Sequence, residues 1–157
     1  MKTYKTVLTI AGFDASGGAG IQADLKTFSA IGCYGMSVLT ALPVQNTQGV
    51  RNIYDISAQC VHEQLEAIFD DIQVDVVKIG MLHRPEIITA VAAILQKYPN
   101  IPIVCDPVMV AKSGDRLLTT DAVQGLIHKI LPLTTVLTPN LPEACDLLGY
   151  SIVTKEE

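Results

Sequence analysis

A chain of 157 residues, 49% of them hydrophobic, is long enough for one domain with a substantial buried core and has no need of disulfides to fold. Its 11 basic residues are scattered singly against 16 acidic ones, and the net charge of −5 argues against nucleic acid as a partner while leaving small phosphate-bearing molecules open. No stretch has the length of a membrane span, and the apolar run that breaks at Gly12 is too short for a signal peptide, so the expected location is the cytoplasm.

Thr6 to Ala11 reads as a first strand. After a glycine-rich turn, the spacing of Ile21, Leu25, Phe28 and Ile31 predicts a helix that faces these residues to the core and that Gly32 is placed to end. Tyr34 to Leu42 is a second strand, followed by a polar segment, PVQNTQGVRN, and a brief strand over Ile53 to Ile56. Ser57 is a cap for a helix whose apolar face is Val61, Leu65, Ile68, Phe69 and Ile72. Val74 to Ile79 is a buried strand, and Pro85 opens a helix with Ile87, Ile88, Val91, Ile94, Leu95 and Tyr98 on its inner face. A strand over Ile103 to Cys105, a helix from about Thr120 to Leu131, a strand over Thr135 to Thr138 and a short helix from Asn140 to Leu148 complete the order. Cys33, Cys60, Cys105 and Cys145 lack metal-ligand spacing and lie in or beside apolar runs, so they read as buried, reduced thiols.

Short β-rich runs alternating with longer amphipathic ones indicate an α/β protein with a mainly parallel sheet, folded as a single domain over residues 1–157. Such sheets bind ligands at the carboxyl ends of their strands. Four strand ends here carry glycine or polar residues: GFDASGGAG after the first, Gly80 and Met81 after VDVVKI, Asp106 and Pro107 after IVC, and Pro139 and Asn140 after TVLT.

In GFDASGGAGIQAD, Gly17, Gly18 and Gly20 permit a tight turn and close approach of a ligand to backbone N–H groups, although an ordinary strand-to-helix turn has the same composition. The segment lacks the GK[ST] of a phosphate-binding Walker loop and the third glycine of a dinucleotide fingerprint, which disfavours an NAD-dependent oxidoreductase. Gln45 carries an amide able to read a ring nitrogen and its neighbouring amino group together, or to stand on a surface loop. Asp14 and Asp24 flank the turn, and local turn bonding or helix solvation explains them as well as ligand contact does. Asp106 ends a buried strand, where a carboxylate requires a partner. Glu143 follows Asn140 by three residues, the spacing of a capping box. His62, His83 and His128 are too dispersed to form a ligand pair, and none is a persuasive catalytic base.

The run AGFDASGGAGIQADLKTF, followed in order by DPVMVAKSG and TPNLPEA, resembles three motifs of the hydroxymethylpyrimidine and phosphomethylpyrimidine kinase family, a ribokinase-like group related to the pyridoxal kinases. The resemblance runs from about Thr6 to Gly149. It implies a three-layer α/β/α ribokinase-like fold whose C-terminal part lies beyond Glu157. It also implies a kinase of thiamine biosynthesis that uses ATP and Mg²⁺ to phosphorylate 4-amino-5-hydroxymethyl-2-methylpyrimidine and then its monophosphate. The residues it assigns are Gly12, Gly18, Ala19, Gln45, Met81 and Val108 to the pyrimidine, Asp106 and Glu143 to metal and phosphate, and Asn140 to the nucleotide. A homodimer is expected, with Tyr34 to Ile56 as a flap and contact surface. The family's later GTGC-type anion loop is not in this sequence, so no catalytic residue is assigned and the chain alone is expected to be inactive. The alternatives are a pyridoxal kinase of the same subgroup and a non-catalytic pyrimidine-binding fragment.

Overall fold

The computed structural model describes residues 4–110 and 117–152, so the AKSG end of DPVMVAKSG lies outside the described residues. The elements run β1 (Thr6–Ala11), α1 (Gly20–Ala30), β2 (Tyr34–Leu39), β3 (Ala41–Asn46), β4 (Gly49–Asp55), α2 (Ala58–Asp71), β5 (Val76–Ile79), α3 (Pro85–Leu95), β6 (Ile103–Cys105), α4 (Thr120–Gly125), β7 (Val136–Leu137) and α5 (Leu141–Leu148). Five strands form one parallel sheet in the order β2-β1-β5-β6-β7, and β3 pairs with β4 as an antiparallel hairpin.

Alternation along the strands sorts the side chains onto two faces. Leu8 and Ile10 of β1 and Val77 and Ile79 of β5 are fully buried, in one core with Val61 and Leu65 of α2 and Ile87, Ile88 and Val91 of α3. The intervening Thr9 and Lys78 point the other way and meet Asp24 of α1, which packs across β1 and β2. Helices on both faces of a parallel sheet give the three-layer α/β/α architecture that the alternating pattern and the motif resemblance imply.

The two helical layers are unequally covered. Helix α3 buries six residues, and Ser57 caps α2 by accepting a hydrogen bond from Cys60 N at 3.1 Å. Helix α1 buries none, and Ile31, expected on its inner face, is 69% exposed.

Several boundaries differ from the sequence expectation, among them β5, which begins at Val76 and not at Val74. Strand β2 ends at Leu39 because Thr40 turns the chain, its N–H donating to Ala11 O and its hydroxyl to Met81 O. The segment expected as polar loop is instead the β3–β4 hairpin, with a bulge between Val44 and Gln45 and a turn in which Asn46 Oδ1 accepts from Gln48 N. The helix over Thr120 to Leu131 keeps its helical path but changes its bonding, from α4 to a π-helical turn over Leu126–Ile130 and a 3₁₀ turn over Leu131–Leu133. Pro132 has no N–H to return to the preceding turn.

Strand β7 is shorter than Thr135 to Thr138, although both flanking threonines still donate backbone bonds to β6 carbonyls. All four cysteines are free, but only Cys105 is buried; Cys60 is exposed in the first turn of α2. Burial pushes the Cys105 thiol up to about 12, which keeps it unreactive. No helix among the described residues is long and apolar enough to cross a membrane.

Leu65 of α2 is wholly buried in the core. Leu65→Ala is expected to lower stability by about 2–5 kcal/mol, read as a shift in the urea unfolding midpoint with an unchanged slope.

Candidate active site

Parallel register sets the level at which the strands release the chain. Ile10 pairs with Ile79, Ile79 with Cys105, and Cys105 with Leu137. The residues that follow therefore emerge side by side: Gly12, Gly80 and Met81, Asp106, and Asn140 a little beyond. The β3–β4 hairpin leans over them from one side, and an open cavity of about 710 Å³ lies between. The size suits a small-molecule ligand. All nine residues assigned from the sequence line this cavity: Gly12, Gly18, Ala19, Gln45, Met81, Asp106, Val108, Asn140 and Glu143. No histidine does, and His83 is instead held by Leu117 O at 2.8 Å from Nδ1.

The glycine turn is wound around Asp14, which is 3% exposed. Its Oδ1 accepts from Ser16 N at 3.0 Å, and its Oδ2 from Gly18 N at 2.9 Å and Ala19 N at 2.8 Å. The N–H groups expected to face a ligand thus bind the chain's own carboxylate. Gly18 and Ala19 still line the cavity. Burial acts to raise the Asp14 carboxyl, and hydrogen bonds from Gln45, Ser16 and Ala19 outweigh it, holding it down at about 2.

Two glycines matter here for different reasons, and only Gly20 is required by its backbone conformation. Gly20 has φ +58, and a side chain there would overlap the Gly12 carbonyl, which accepts from Ile21 N to start α1. A Cβ on Gly12 would fall 2.6 Å from the Met81 Cε, so the bare backbone at Gly12 makes room for Met81, itself 7% exposed.

On the opposite wall, Asn140 and Glu143 form the capping box. Asn140 Oδ1 accepts from Glu143 N and Glu143 Oε2 accepts from Asn140 N, both at 2.9 Å. Glu143 Oε1 accepts a long bond from Met109 N at 3.4 Å, and the side chain is buried. Its helical role is therefore real, and it brings a carboxylate to the cavity as well. Burial raises the Asp106 carboxyl, with Glu143 and Asp24 adding to the effect and Lys78 opposing it.

Lys78 and Thr9 escape a motif-based reading. Lys78 Nζ lies 3.1 Å from Asp24 Oδ2 and 3.8 Å from Asp106 Oδ2, and Thr9 Oγ1 donates to Asp24 at 2.6 Å. Asp24 is accordingly neither a turn residue nor a solvated one. The signal available in the sequence was a lysine inside the apolar run VVKI, since a charge on a covered strand needs a partner.

Because the folded Asp14 carboxyl is depressed from 3.8 to about 2, its ionisation stabilises the fold above the unfolded value and that contribution disappears as pH falls through about 4 to 2. Asp14→Asn is expected to lose about 2 kcal/mol at pH 7, with the gap from the parent protein closing toward pH 2 in urea titrations.

Comparison with known proteins gives this geometry its context. A family model described as Phosphomethylpyrimidine kinase matches residues 14–157. The hydroxymethylpyrimidine/phosphomethylpyrimidine kinase of Escherichia coli strain K12 is 56% identical over 141 residues, 90% of this chain and 53% of the relative. The chain therefore spans about half the length of that curated relative. The crystal structure of phosphomethylpyrimidine kinase from Clostridium difficile 630 superposes with a TM-score of 0.90 at 51% identity, covering 97% of this chain and 66% of that one. A pyridoxal kinase from Staphylococcus aureus, in complex with AMP-PCP and pyridoxal, superposes with a TM-score of 0.84 at 37% identity, covering 99% and 55%.

Proposed function

We propose, from the premise that the chain belongs to the phosphomethylpyrimidine kinase family, that it supplies the acceptor side of an ATP-dependent kinase acting on 4-amino-5-hydroxymethyl-2-methylpyrimidine and its monophosphate in thiamine biosynthesis. The observation that carries this reading is the meeting of two chemistries in one cavity. Gly12, Gln45, Met81 and Val108 line it together with Asp106, Asn140 and Glu143.

In this reading the Gln45 amide pairs with the aminopyrimidine edge, while Met81 and Val108 enclose the flat ring. The ring's hydroxymethyl group then lies toward Asp106, where phosphate arrives. Holding acceptor and donor in line is the main task of such a site, because phosphoryl transfer depends on position and charge more than on covalent help from the protein.

Asp106 and Glu143 fit a divalent cation. They repel each other across a shared cavity, and among the described residues no trio of His, Cys, Asp or Glu forms a closed metal cage. Two carboxylates with water and phosphate oxygens completing the shell is the usual arrangement for Mg²⁺. When bound there, Mg²⁺ would neutralise phosphate charge. The AMP-PCP in the pyridoxal kinase structure supports a nucleotide as the donor.

The cytoplasm and a homodimer belong to the same proposal. Leu42, Val44 and Tyr54 are exposed on the hairpin, and Leu42 and Tyr54 are cross-strand partners, which supports an apolar contact stripe.

Kinetics of the full-length kinase test the reading. Gln45→Leu is expected to raise KM for the pyrimidine about tenfold with little change in kcat. Asp106→Asn and Glu143→Gln are expected to lower kcat about 100-fold or more, and Gln at 143 still completes the capping box, so the fold should be retained. Hydroxymethylpyrimidine and pyridoxal should be offered in competition. A strong preference for pyridoxal would overturn the assignment of substrate.

A further inference from the structure

We propose that Lys78 is a positioning residue of the phosphoryl-transfer site, held by Asp24 and Thr9 so that its ammonium group both orients the Asp106 carboxylate and limits the negative charge the cavity presents to a divalent cation. This rests on the functional reading above, which gives Asp106 its place beside metal and phosphate.

The route can be followed across the sheet. Thr9 of β1 is directly in register with Lys78 of β5, so both side chains leave the same face. There Thr9, fully buried, donates to Asp24 Oδ2, and the same oxygen receives the Lys78 ammonium. Asp24 is thus fixed from the sheet before it fixes the lysine. Asp106 follows β6, the next strand over, and its Oδ2 stands 3.8 Å from Nζ. Gly80 leaves space for this arrangement, since a Cβ there would sit 3.1 Å from Nζ and 3.0 Å from the Ala11 Cβ.

A lysine paired only to satisfy its own burial would need no place on the cavity wall. Lys78 has one, and no other lysine or arginine among the described residues lines the cavity. Asp14, Asp24, Asp106 and Glu143 line it as well; Asp14 is satisfied by the N–H groups of its own turn, whereas Asp24 and Asp106 meet this one ammonium group. The carboxylates outnumber the ammonium group, and the excess negative charge is what a divalent cation would offset. Without Lys78, Asp106 would be free to turn and that excess would grow by one charge.

Two substitutions in the full-length kinase should shift cation binding in opposite directions. With Mn²⁺ as the probe, followed by electron paramagnetic resonance without nucleotide, Lys78→Met is expected to bind about tenfold more tightly and Asp24→Asn about threefold more weakly. In turnover, Lys78→Met is expected to lower kcat about 30-fold with KM for the pyrimidine changed by less than about threefold, and Lys78→Arg to recover kcat to within about fivefold of the parent. Tighter cation binding together with slower chemistry is a combination that simple loss of structure does not produce. Unchanged or weaker Mn²⁺ binding by Lys78→Met, or a kcat within about threefold of the parent, would overturn the proposal. If Lys78→Met does not fold, Asp24→Asn decides, and Mn²⁺ binding at or above the parent's strength rejects it. Should the parent kinase fail to phosphorylate the pyrimidine, the functional reading falls, while the Mn²⁺ measurements still judge Lys78.

Discussion

Strand β1 is bonded along both of its edges, to β2 and to β5, and the rest of the molecule is arranged around that fact. Because its neighbours are parallel and their crossovers lay helices on both faces of the sheet, its side chains are covered on both faces. Leu8 and Ile10 join the core formed with α2 and α3. Thr9 bonds to Asp24 of the helix on the other side. Parallel register then brings the ends of β1, β5 and β6 to one level, and a cavity at the carboxyl edge of the sheet follows from the pairing.

At that edge the chain repeatedly answers a buried polar group with another part of itself. Asp14 is satisfied by the N–H groups of the turn that encloses it, and in return it sets the shape of the turn. Glu143 is held by the cap of its own helix. Lys78 is held by Asp24 and faces Asp106. Each group is constrained before any ligand arrives, and such pre-organisation is what a site for phosphoryl transfer requires. It also explains why the turn is not an anion cradle despite its glycines: its donors already have an acceptor.

Much of this was legible in the residue order. The strands ending at Ala11, Ile79 and Cys105 and the helices after Ser57, Pro85 and Asn140 follow from apolar periodicity and capping chemistry, which act over a few residues. The hairpin was legible only at its ends, where the strand over Ile53 to Ile56 falls on the close of β4, because half of its residues face solvent and Pro43 interrupts the alternation that marks a strand. The bareness of α1 was equally hidden. Its spacing of Ile21, Leu25, Phe28 and Ile31 describes an apolar stripe, but how far a stripe is covered depends on what lies beside it.

The sequence by itself determined the order of the elements, the glycine turn, the capping box and the kinase motifs that place the chain in its family, because each is written in residues close together along the chain. Only the tertiary structure decided that the turn's N–H groups close on Asp14, that Met81 reaches over the bare backbone of Gly12, and that Thr9, Asp24, Lys78 and Asp106 form one connected set. These four residues lie on β1, α1, β5 and just after β6. Parallel strands that neighbour one another in the sheet are joined by long crossovers, so contacts between them depend on register and on which face each side chain leaves. Local spacing carries neither.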